Sequence, residues 1–167
     1  MSITSIDGEW QLERYRYLVD EIAWGDEEDT ACMAKIQAWL RGNGDAQIPD
    51  AVPMAGLVMK IQGNAFTEEV IEFDALMFDV RGVQVNAYVP MTGTVVDRDG
   101  LMILEPAGVP DWATPNTMDA SILRYDDGDT KVGDHLRLIN DCLVRQVSVV
   151  TDEIYLERMV LVYGRVR

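Results

Sequence analysis

Histidine, the side chain most often used for acid–base chemistry and metal binding, occurs once in this sequence, as His135. A single histidine cannot supply a metal site that needs two, and it leaves only one option for the base of a Ser-His-Asp triad. Asp134 is its neighbour in the chain, but neighbouring side chains on a strand point to opposite faces. We therefore interpret His135 as a structural residue and leave the catalytic residues unassigned.

The acidic run Asp126-Asp127-Gly128-Asp129 has the composition of a cation-binding loop but not its spacing. The later ligands and the bidentate glutamate of an EF-hand are missing, and four polar residues between two apolar runs are typical of a turn. The sequence also contains no phosphate-binding glycine-rich loop, zinc-ligand spacing or nucleophile elbow. It predicts neither a metal site nor a cofactor.

Adaptable apolar side chains are the stronger chemical signal. The nine methionines, six tyrosines and four tryptophans exceed what packing alone requires in a small domain, and methionine suits the irregular surface of an apolar ligand. A solid core that uses the same methionines is the alternative. Alternation along the predicted strands could direct one set of these side chains inward, and we predict as ligand-binding residues Trp10, Arg14, Met59, Met77, Tyr88, Met102, Tyr125 and Tyr155.

Two members of this set are polar anchors. Arg14 shares a predicted strand face with Trp10 and Leu12, and Tyr125 follows a similar pattern on a later strand. A buried arginine or tyrosine must find a hydrogen-bonding partner. That partner is either a protein carboxylate, Glu157 or Glu13 at the barrel mouth, or a carboxylate, carbonyl or enolate of a ligand.

A stretch without periodicity lies between Glu105 and Met118 and contains three prolines and an isolated tryptophan, Trp112. Long ordered loops in small domains are disproportionately functional. We predict that this segment is a lid over the open end of the fold, with Trp112 as its contact residue. A surface loop with Trp112 tucked against the body is the alternative.

Short apolar runs broken by turn signals make up most of the chain. Trp10 to Val19 is rich in aromatic and β-branched residues and predicts a first strand, and five hairpins follow from Leu57 onward. Because each connection is too short for a parallel crossover, sequential strands pair antiparallel. The predicted turns are Gly63-Asn64, Arg81-Gly82, Asp97 to Gly100, Asp126 to Asp129 and Thr151 to Glu153.

One helix is predicted between the first strand and the hairpins. Within Asp26 to Arg41 an acidic start precedes apolar residues at helical spacing, and Gly42 and Gly44 end the pattern. The predicted fold class is therefore all-β. We expect an antiparallel up-and-down β-barrel of about eight to eleven strands with one N-terminal helical insertion.

Length and charge limit the function further. The 167 residues suit a single domain spanning residues 1–167, and the net charge of −15 repels phosphate backbones and argues against sequence-independent DNA or RNA binding. We expect a cytoplasmic protein outside the membrane, because no secretory signal or long uncharged apolar segment is found. Cys32 and Cys142 are far apart in apolar patterns and are expected to be free thiols.

The two ends of the chain carry complementary features. Gly8 precedes Trp10 by two residues near the start, and the last apolar run, Tyr155 to Arg167, has arginines at its tip. Pairing of the last strand with the first is how an up-and-down barrel closes. The sequence thus predicts closure between its own ends.

This arrangement resembles the calycin superfamily, which includes the lipocalins and the intracellular fatty-acid-binding proteins. The resemblance is carried by Gly8-Glu9-Trp10-Gln11-Leu12, the single helical insertion before Leu57, the hairpin Met59 to Phe66 and the closing segment Leu161 to Arg167.

In the lipocalin pattern the tryptophan lies at the closed end of the barrel, and an arginine of the last strand packs across its indole. The resemblance therefore implies that Trp10 is buried against Arg165 or Arg167 in a cation–π contact. The chain departs from secreted lipocalins in lacking a secretory signal and a disulfide, which fits intracellular or bacterial relatives better.

Three functions are compatible with this sequence. The first is a cytosolic barrel that binds a small, mostly apolar molecule. The second is a cofactor-independent cyclase or isomerase acting on a polyene or polyketide, which needs shape, desolvation and one hydrogen-bond donor. The third is an acidic inhibitor or immunity-type protein steered to a basic partner. A hollow barrel favours the first two.

The expected partner is a small hydrophobic molecule, with no nucleic acid and no membrane, and a homo-oligomer is left open.

Overall fold

The computed structural model describes residues 3–21, 51–80, 83–85, 90–98, 101–107, 125–126, 130–151 and 155–167. The strands within these ranges are β1 (Gly8–Glu21), β2 (Val52–Pro53), β3 (Leu57–Gln62), β4 (Ala65–Val70), β5 (Phe78–Val80), β6 (Val83–Val85), β7 (Thr92–Arg98), β8 (Leu101–Pro106), β9 (Tyr125–Asp126), β10 (Thr130–Ile139), β11 (Cys142–Thr151) and β12 (Tyr155–Arg165).

Eight of these strands form a closed antiparallel barrel. Their order around the wall is β1-β3-β4-β7-β8-β10-β11-β12, and β12 pairs with β1 over eleven registered positions to close the sheet. This is an up-and-down meander in which each strand follows the previous strand of the wall. The strand order confirms the predicted all-β barrel and its calycin-like fold.

The predicted hairpins are confirmed, with one difference in their role. β3 and β4, β7 and β8, and β11 and β12 pair across the expected turns and belong to the wall. β5 and β6 also pair as predicted, but they form a separate two-stranded sheet. β9 pairs with β10, and the short β2 pairs with β1.

Alternation along the strands separates an inner face from an outer face. On β4, Phe66 and Glu68 are buried while Thr67 and Glu69 are exposed, which is the period expected of a strand with one face on the core. The fully buried side chains of the inner faces form one continuous core. Its largest members include Trp10, Tyr163, Phe66, Leu12, Leu57, Met59, Met102, Leu104 and Leu136.

A β-bulge at Glu13 resets the alternation of β1. Leu12 pairs with Tyr163 and Arg14 pairs with the next partner, Val162, so Glu13 is the extra residue. After the bulge the buried member of the inner face is Tyr15. The prediction that Arg14 shares a face with Trp10 and Leu12 is therefore wrong, because one inserted residue reverses the direction of the side chains that follow.

The closed end of the barrel is built from both chain termini. Trp10 is fully buried, and the guanidinium carbon of Arg165 lies 4.2 Å from the centroid of its ring, which confirms the predicted contact. The indole Nε1 donates to the carbonyl of Ile6, at 2.8 Å. Arg165 Nη1 and Nη2 donate to the carbonyls of Asp7 and Ser5, at 2.7 and 3.2 Å.

Gly8 makes this approach of the arginine feasible. Its φ is +139°, and a Cβ atom at this position would lie 2.7 Å from Arg165 Nη1. A larger residue would therefore combine backbone strain with a clash. The glycine two residues before the tryptophan leaves room for the guanidinium.

Helical structure is sparse in the described residues, where the helices are the 3₁₀ turns Ile3–Ile6 and Phe73–Ala75. The helix predicted within Asp26 to Arg41 falls outside these residues. In the part of the chain that the structure describes, no helix is long and apolar enough to cross a membrane.

Candidate ligand-binding site

A buried ionic cluster lies inside the barrel. Arg145 Nε donates to Asp134 Oδ1 at 2.9 Å, and Nη2 donates to Asp134 Oδ2 at 2.7 Å, which makes this pair bidentate. Nη1 of the same guanidinium contacts Glu68 Oε1 at 2.5 Å. The side chains of Arg145, Glu68 and Asp134 are 3%, 0% and 1% exposed. We call these three residues the ionic cluster.

The register of the wall brings the ionic cluster together from three strands. Arg145 on β11 pairs with Leu136 of β10 and with Leu161 of β12, both of which are buried in the core. Glu68 is on β4, on the opposite side of the strand order from β11. Arg145 therefore reaches across the interior and joins two parts of the wall that share no backbone hydrogen bonds.

The second carboxylate oxygen of Glu68 has a backbone partner. Glu68 Oε2 accepts a hydrogen bond from the backbone N–H of Met91, at 3.0 Å, and the backbone N–H of Glu68 donates to the Met91 carbonyl, at 2.8 Å. These two bonds fix the segment before β7 against β4. Both Glu68 oxygens are thus used, and its side chain has a fixed direction.

The ionic cluster carries an excess of negative charge. It contains one guanidinium and two carboxylates, so its formal charge is −1 when both acids are ionised. Charges this deeply buried are costly unless they are paired and hydrogen-bonded. Three of the five N–H groups of Arg145 bind protein carboxylates.

Tyr163 adds a buried hydroxyl beside the ionic cluster. Its side chain is fully buried, and its Oη makes no hydrogen bond of normal geometry within the described residues, although the Arg145 guanidinium is near enough to act on it as a donor. Burial raises the pKa of Tyr163 well above its ordinary range, and the nearby Arg145 guanidinium opposes this shift without cancelling it. The phenol therefore remains protonated and offers an O–H donor and acceptor lone pairs inside the barrel.

A ring of partly exposed apolar side chains lies on the open-end side of the ionic cluster. Val70 is two residues beyond Glu68 on the same face of β4. Val147 is the next inward-facing residue of β11 after Arg145, and it pairs with Met159 of β12. Tyr17 pairs with Met159, and Met91 binds Glu68 through its backbone. We call Tyr17, Val70, Met91, Val147 and Met159 the upper ring; all five are half-buried.

The upper ring and the ionic cluster together define the candidate site. The floor below them is closed by the fully buried core around Trp10. The long connections of the chain, 22–56, 71–91 and 107–129, all join strands at the open end, whereas two-residue turns such as Gly63-Asn64 lie at the closed end. A ligand would therefore enter from the open end and meet the upper ring first.

The predicted ligand-binding residues fall into three groups. Met59 and Met102 are buried inside the barrel, where Met59 pairs with Glu68 and Met102 pairs with Leu136. Trp10 is also inside but belongs to the floor. Arg14 lies on the outer face because of the bulge, and Met77 is 36% exposed and follows a 3₁₀ turn outside the barrel wall.

The remaining predicted residues have no described side chains. Tyr125 and Tyr155 have backbone positions in β9 and β12. Tyr88 and the predicted lid residue Trp112 lie outside the described residues. Their roles stay predictions.

Glu68, Asp134, Arg145 and Tyr163 were not among the predicted site residues, although the sequence held a signal for them. Each occupies the apolar phase of an alternating strand: Arg145, for example, shares its face with Leu143 and Val147. A charged residue that alternates in step with apolar residues is either buried with them or belongs to a strand whose register is shifted by one residue. The signal identifies buried polar groups but cannot show that Glu68 of β4 meets Arg145 and Asp134, which lie on the paired strands β11 and β10 across the barrel.

A concavity lies at the closed end of the barrel. It has a volume of about 520 Å³ and includes both Glu13 of the bulge and the thiol of Cys142. Cys142 is a free thiol, and burial, followed by the negative charge of Glu13, raises its pKa. A raised pKa makes the thiol a poor nucleophile at neutral pH. Among the described residues, no group of three or more histidine, cysteine or acidic side chains is arranged to hold a metal ion.

Comparisons with known proteins give distant likenesses. No family model and no curated protein matches the sequence. Zebrafish ileal bile acid-binding protein, solved in complex with cholic acid, has 10% identity and a TM-score of 0.38, with 99% of this chain and 100% of that chain covered. The S-type phycobiliprotein lyase CPES of Guillardia theta has 9% identity and a TM-score of 0.30, with 99% and 90% covered. At these TM-scores neither likeness carries weight, and the fold assignment rests on strand order and closure.

Proposed function

We propose that this protein is a cytosolic calycin-like binding protein that holds a small, mostly apolar molecule in its barrel. The observation that carries the proposal is the fully buried Tyr163 hydroxyl, which makes no hydrogen bond of normal geometry within the described residues although the Arg145 guanidinium of the ionic cluster is near it. A buried polar group without a partner costs stability, and native proteins retain such groups mainly where they have a task.

The site offers a ligand two kinds of surface. Its apolar part contacts the upper ring and the buried methionines Met59 and Met102, which adapt to irregular shapes. Its polar end reaches the Tyr163 hydroxyl, which supplies the missing hydrogen bond. Pockets of this type, mostly apolar with a few convergent polar groups, are the usual small-molecule sites of barrels.

Titration with chain-length-matched lipophilic alcohols, amides, acids and amines, followed by tryptophan fluorescence and native mass spectrometry, tests the proposal. We expect binding of one equivalent, and Tyr163→Phe should weaken the binding of the preferred ligand by about 0.5–1.5 kcal/mol through loss of one hydrogen bond. Arg14→Ala is the matched control because Arg14 is on the outer face, and it should leave binding unchanged. Absence of binding to every compound would contradict the proposal and favour an acidic inhibitor of a basic partner.

A cyclase or isomerase acting on a bound polyene or polyketide is the second candidate. It is favoured by the same Tyr163 hydroxyl, since a phenol kept protonated by burial can donate to an oxygen that gains negative charge in the transition state. Turnover of a bound polyene, lost in Tyr163→Phe while binding persists, would identify the enzyme. Binding of the polyene without its conversion would contradict the enzyme and support the non-catalytic binding protein.

A further inference from the structure

We propose that the barrel selects lipophilic amines over lipophilic carboxylates of the same length. This inference deepens the proposed binding function and rests on it. It concerns the chemical class of the ligand's polar end, which the charges of the site determine.

The first argument is the state of Arg145. An arginine inside an apolar barrel would ordinarily recognise a ligand carboxylate through its planar fork. Here both oxygens of Asp134 and one oxygen of Glu68 already bind the guanidinium. Arg165, which pairs with Trp10 on the inner face, is engaged at the floor by the indole and by the carbonyls of Asp7 and Ser5. A ligand carboxylate at the ionic cluster would therefore have to displace a protein carboxylate and leave it buried without its partner.

The second argument is the sign of the charge. The ionic cluster has two carboxylates for one guanidinium, and its three side chains are at most 3% exposed, so solvent screens it little. An added anion is repelled at short range in a medium of low dielectric constant, whereas an ammonium group compensates the excess. The net charge of −15 acts in the same direction on the approaching ligand.

The third argument is Tyr163, which is independent of the acidic residues. Its fully buried hydroxyl makes no hydrogen bond of normal geometry within the described residues, and the nearest charged group that acts on it is the Arg145 guanidinium, as a cation and as a donor. The phenol oxygen can accept an N–H bond from an ammonium group, and its O–H can donate to the nitrogen lone pair of a neutral amine. Either protonation state of an amine is therefore served at this position.

Competition between dodecylamine, dodecanoate and neutral dodecanol, measured by displacement of an uncharged fluorescent probe at 150 mM salt, tests this inference. We expect dodecylamine to bind at least tenfold more tightly than dodecanoate, with dodecanol in between. Glu68→Gln should reduce the amine-to-carboxylate ratio tenfold or more. Glu69→Gln is the matched control, since Glu69 is the next residue on β4, is exposed and carries the same charge; it should change the ratio less than twofold.

Asp134→Asn serves as a second variant if Glu68→Gln does not fold, and circular dichroism establishes folding in each case. Equal affinity of the wild type for dodecylamine and dodecanoate would overturn the selectivity while leaving the binding function intact. Equal effects of Glu68→Gln and Glu69→Gln would also overturn it, because the preference would then come from the surface. If dodecanol and the probe also fail to bind, the proposed function fails with it.

Discussion

Arg145 and Tyr163 represent opposite solutions to burying a polar group. Arg145 is surrounded by acceptors and is fixed by Asp134 and Glu68, whereas the Tyr163 hydroxyl makes no hydrogen bond of normal geometry within the described residues. In the first arrangement each buried charge has a hydrogen-bonded partner of opposite charge. The second leaves an opening for a ligand group. Their proximity is the reason for placing the proposed ligand site here.

Loss of Arg145 alone should be strongly destabilising. Arg145→Met leaves Glu68 and Asp134 buried without their cation, and we expect the free energy of unfolding to fall by about 3–5 kcal/mol. The triple variant Arg145→Met, Glu68→Met, Asp134→Val removes all three charges together and should recover most of that loss. Urea unfolding of both variants measures the difference. If the triple variant is no more stable than the single one, the cost does not come from unpaired charge.

Tyr163 should make the protein sensitive to alkali. Because burial raises its pKa above the ordinary value of about 10, the folded state keeps the phenol proton at a pH where the unfolded chain loses it. The unfolded state then binds fewer protons, so this contribution to stability falls as pH rises above about 10, by up to about 1.4 kcal/mol per pH unit.

Tyr163→Phe should flatten this alkaline decline. Comparison of urea unfolding at pH 9 and pH 11 for the wild type and the variant isolates the effect, since the other tyrosines are unchanged. At neutral pH the variant should be as stable as the wild type or more stable, because it removes a buried hydroxyl that makes no hydrogen bond of normal geometry. An identical pH dependence in both proteins would mean that Tyr163 titrates normally.

At the scale of elements, the sequence was sufficient to predict that β12 pairs with β1, but it was not sufficient to predict the ionic cluster. Trp10, Gly8 and Arg165 act through local spacing and an end-to-end pairing that a barrel requires. The bulge at Glu13 follows no local pattern and reversed the face of Arg14. Sequence alternation could place Arg145 on one face of its strand, but only the barrel's register shows that Glu68 lies opposite.

The closing contact should contribute measurably to stability. Arg165→Ala removes the cation–π contact with Trp10 and two hydrogen bonds to the carbonyls of the N-terminal segment, and we expect a loss of about 1–2 kcal/mol. Arg167→Ala carries the same charge change at the same chain end and should cost less than about 0.5 kcal/mol. Thermal unfolding followed by near-ultraviolet circular dichroism reports on both stability and the Trp10 environment. Equal shifts in the two variants would attribute the effect to charge alone.

At the scale of the whole molecule, two sets of charges act at different distances. Described acidic side chains outside the ionic cluster, such as Glu9, Glu69 and Glu72, are exposed to solvent, where salt screens them. The ionic cluster is enclosed by the barrel wall, and salt hardly reaches it. Stability and ligand selectivity should therefore respond differently to ionic strength.

Raising the salt concentration from 10 to 150 mM shortens the Debye length from about 30 to about 8 Å. Self-repulsion of the acidic surface then weakens, and we expect the thermal midpoint of the ligand-free protein to rise by several degrees. The preference of the interior for amines should persist over the same range, because it depends on buried Glu68 and Asp134 rather than on the surface. Thermal scans and probe displacement at both salt concentrations measure the two effects on one sample. If the preference for amines disappears at 150 mM salt while the thermal midpoint rises, both effects come from surface charge. The charge of the ionic cluster would then play no part in ligand recognition.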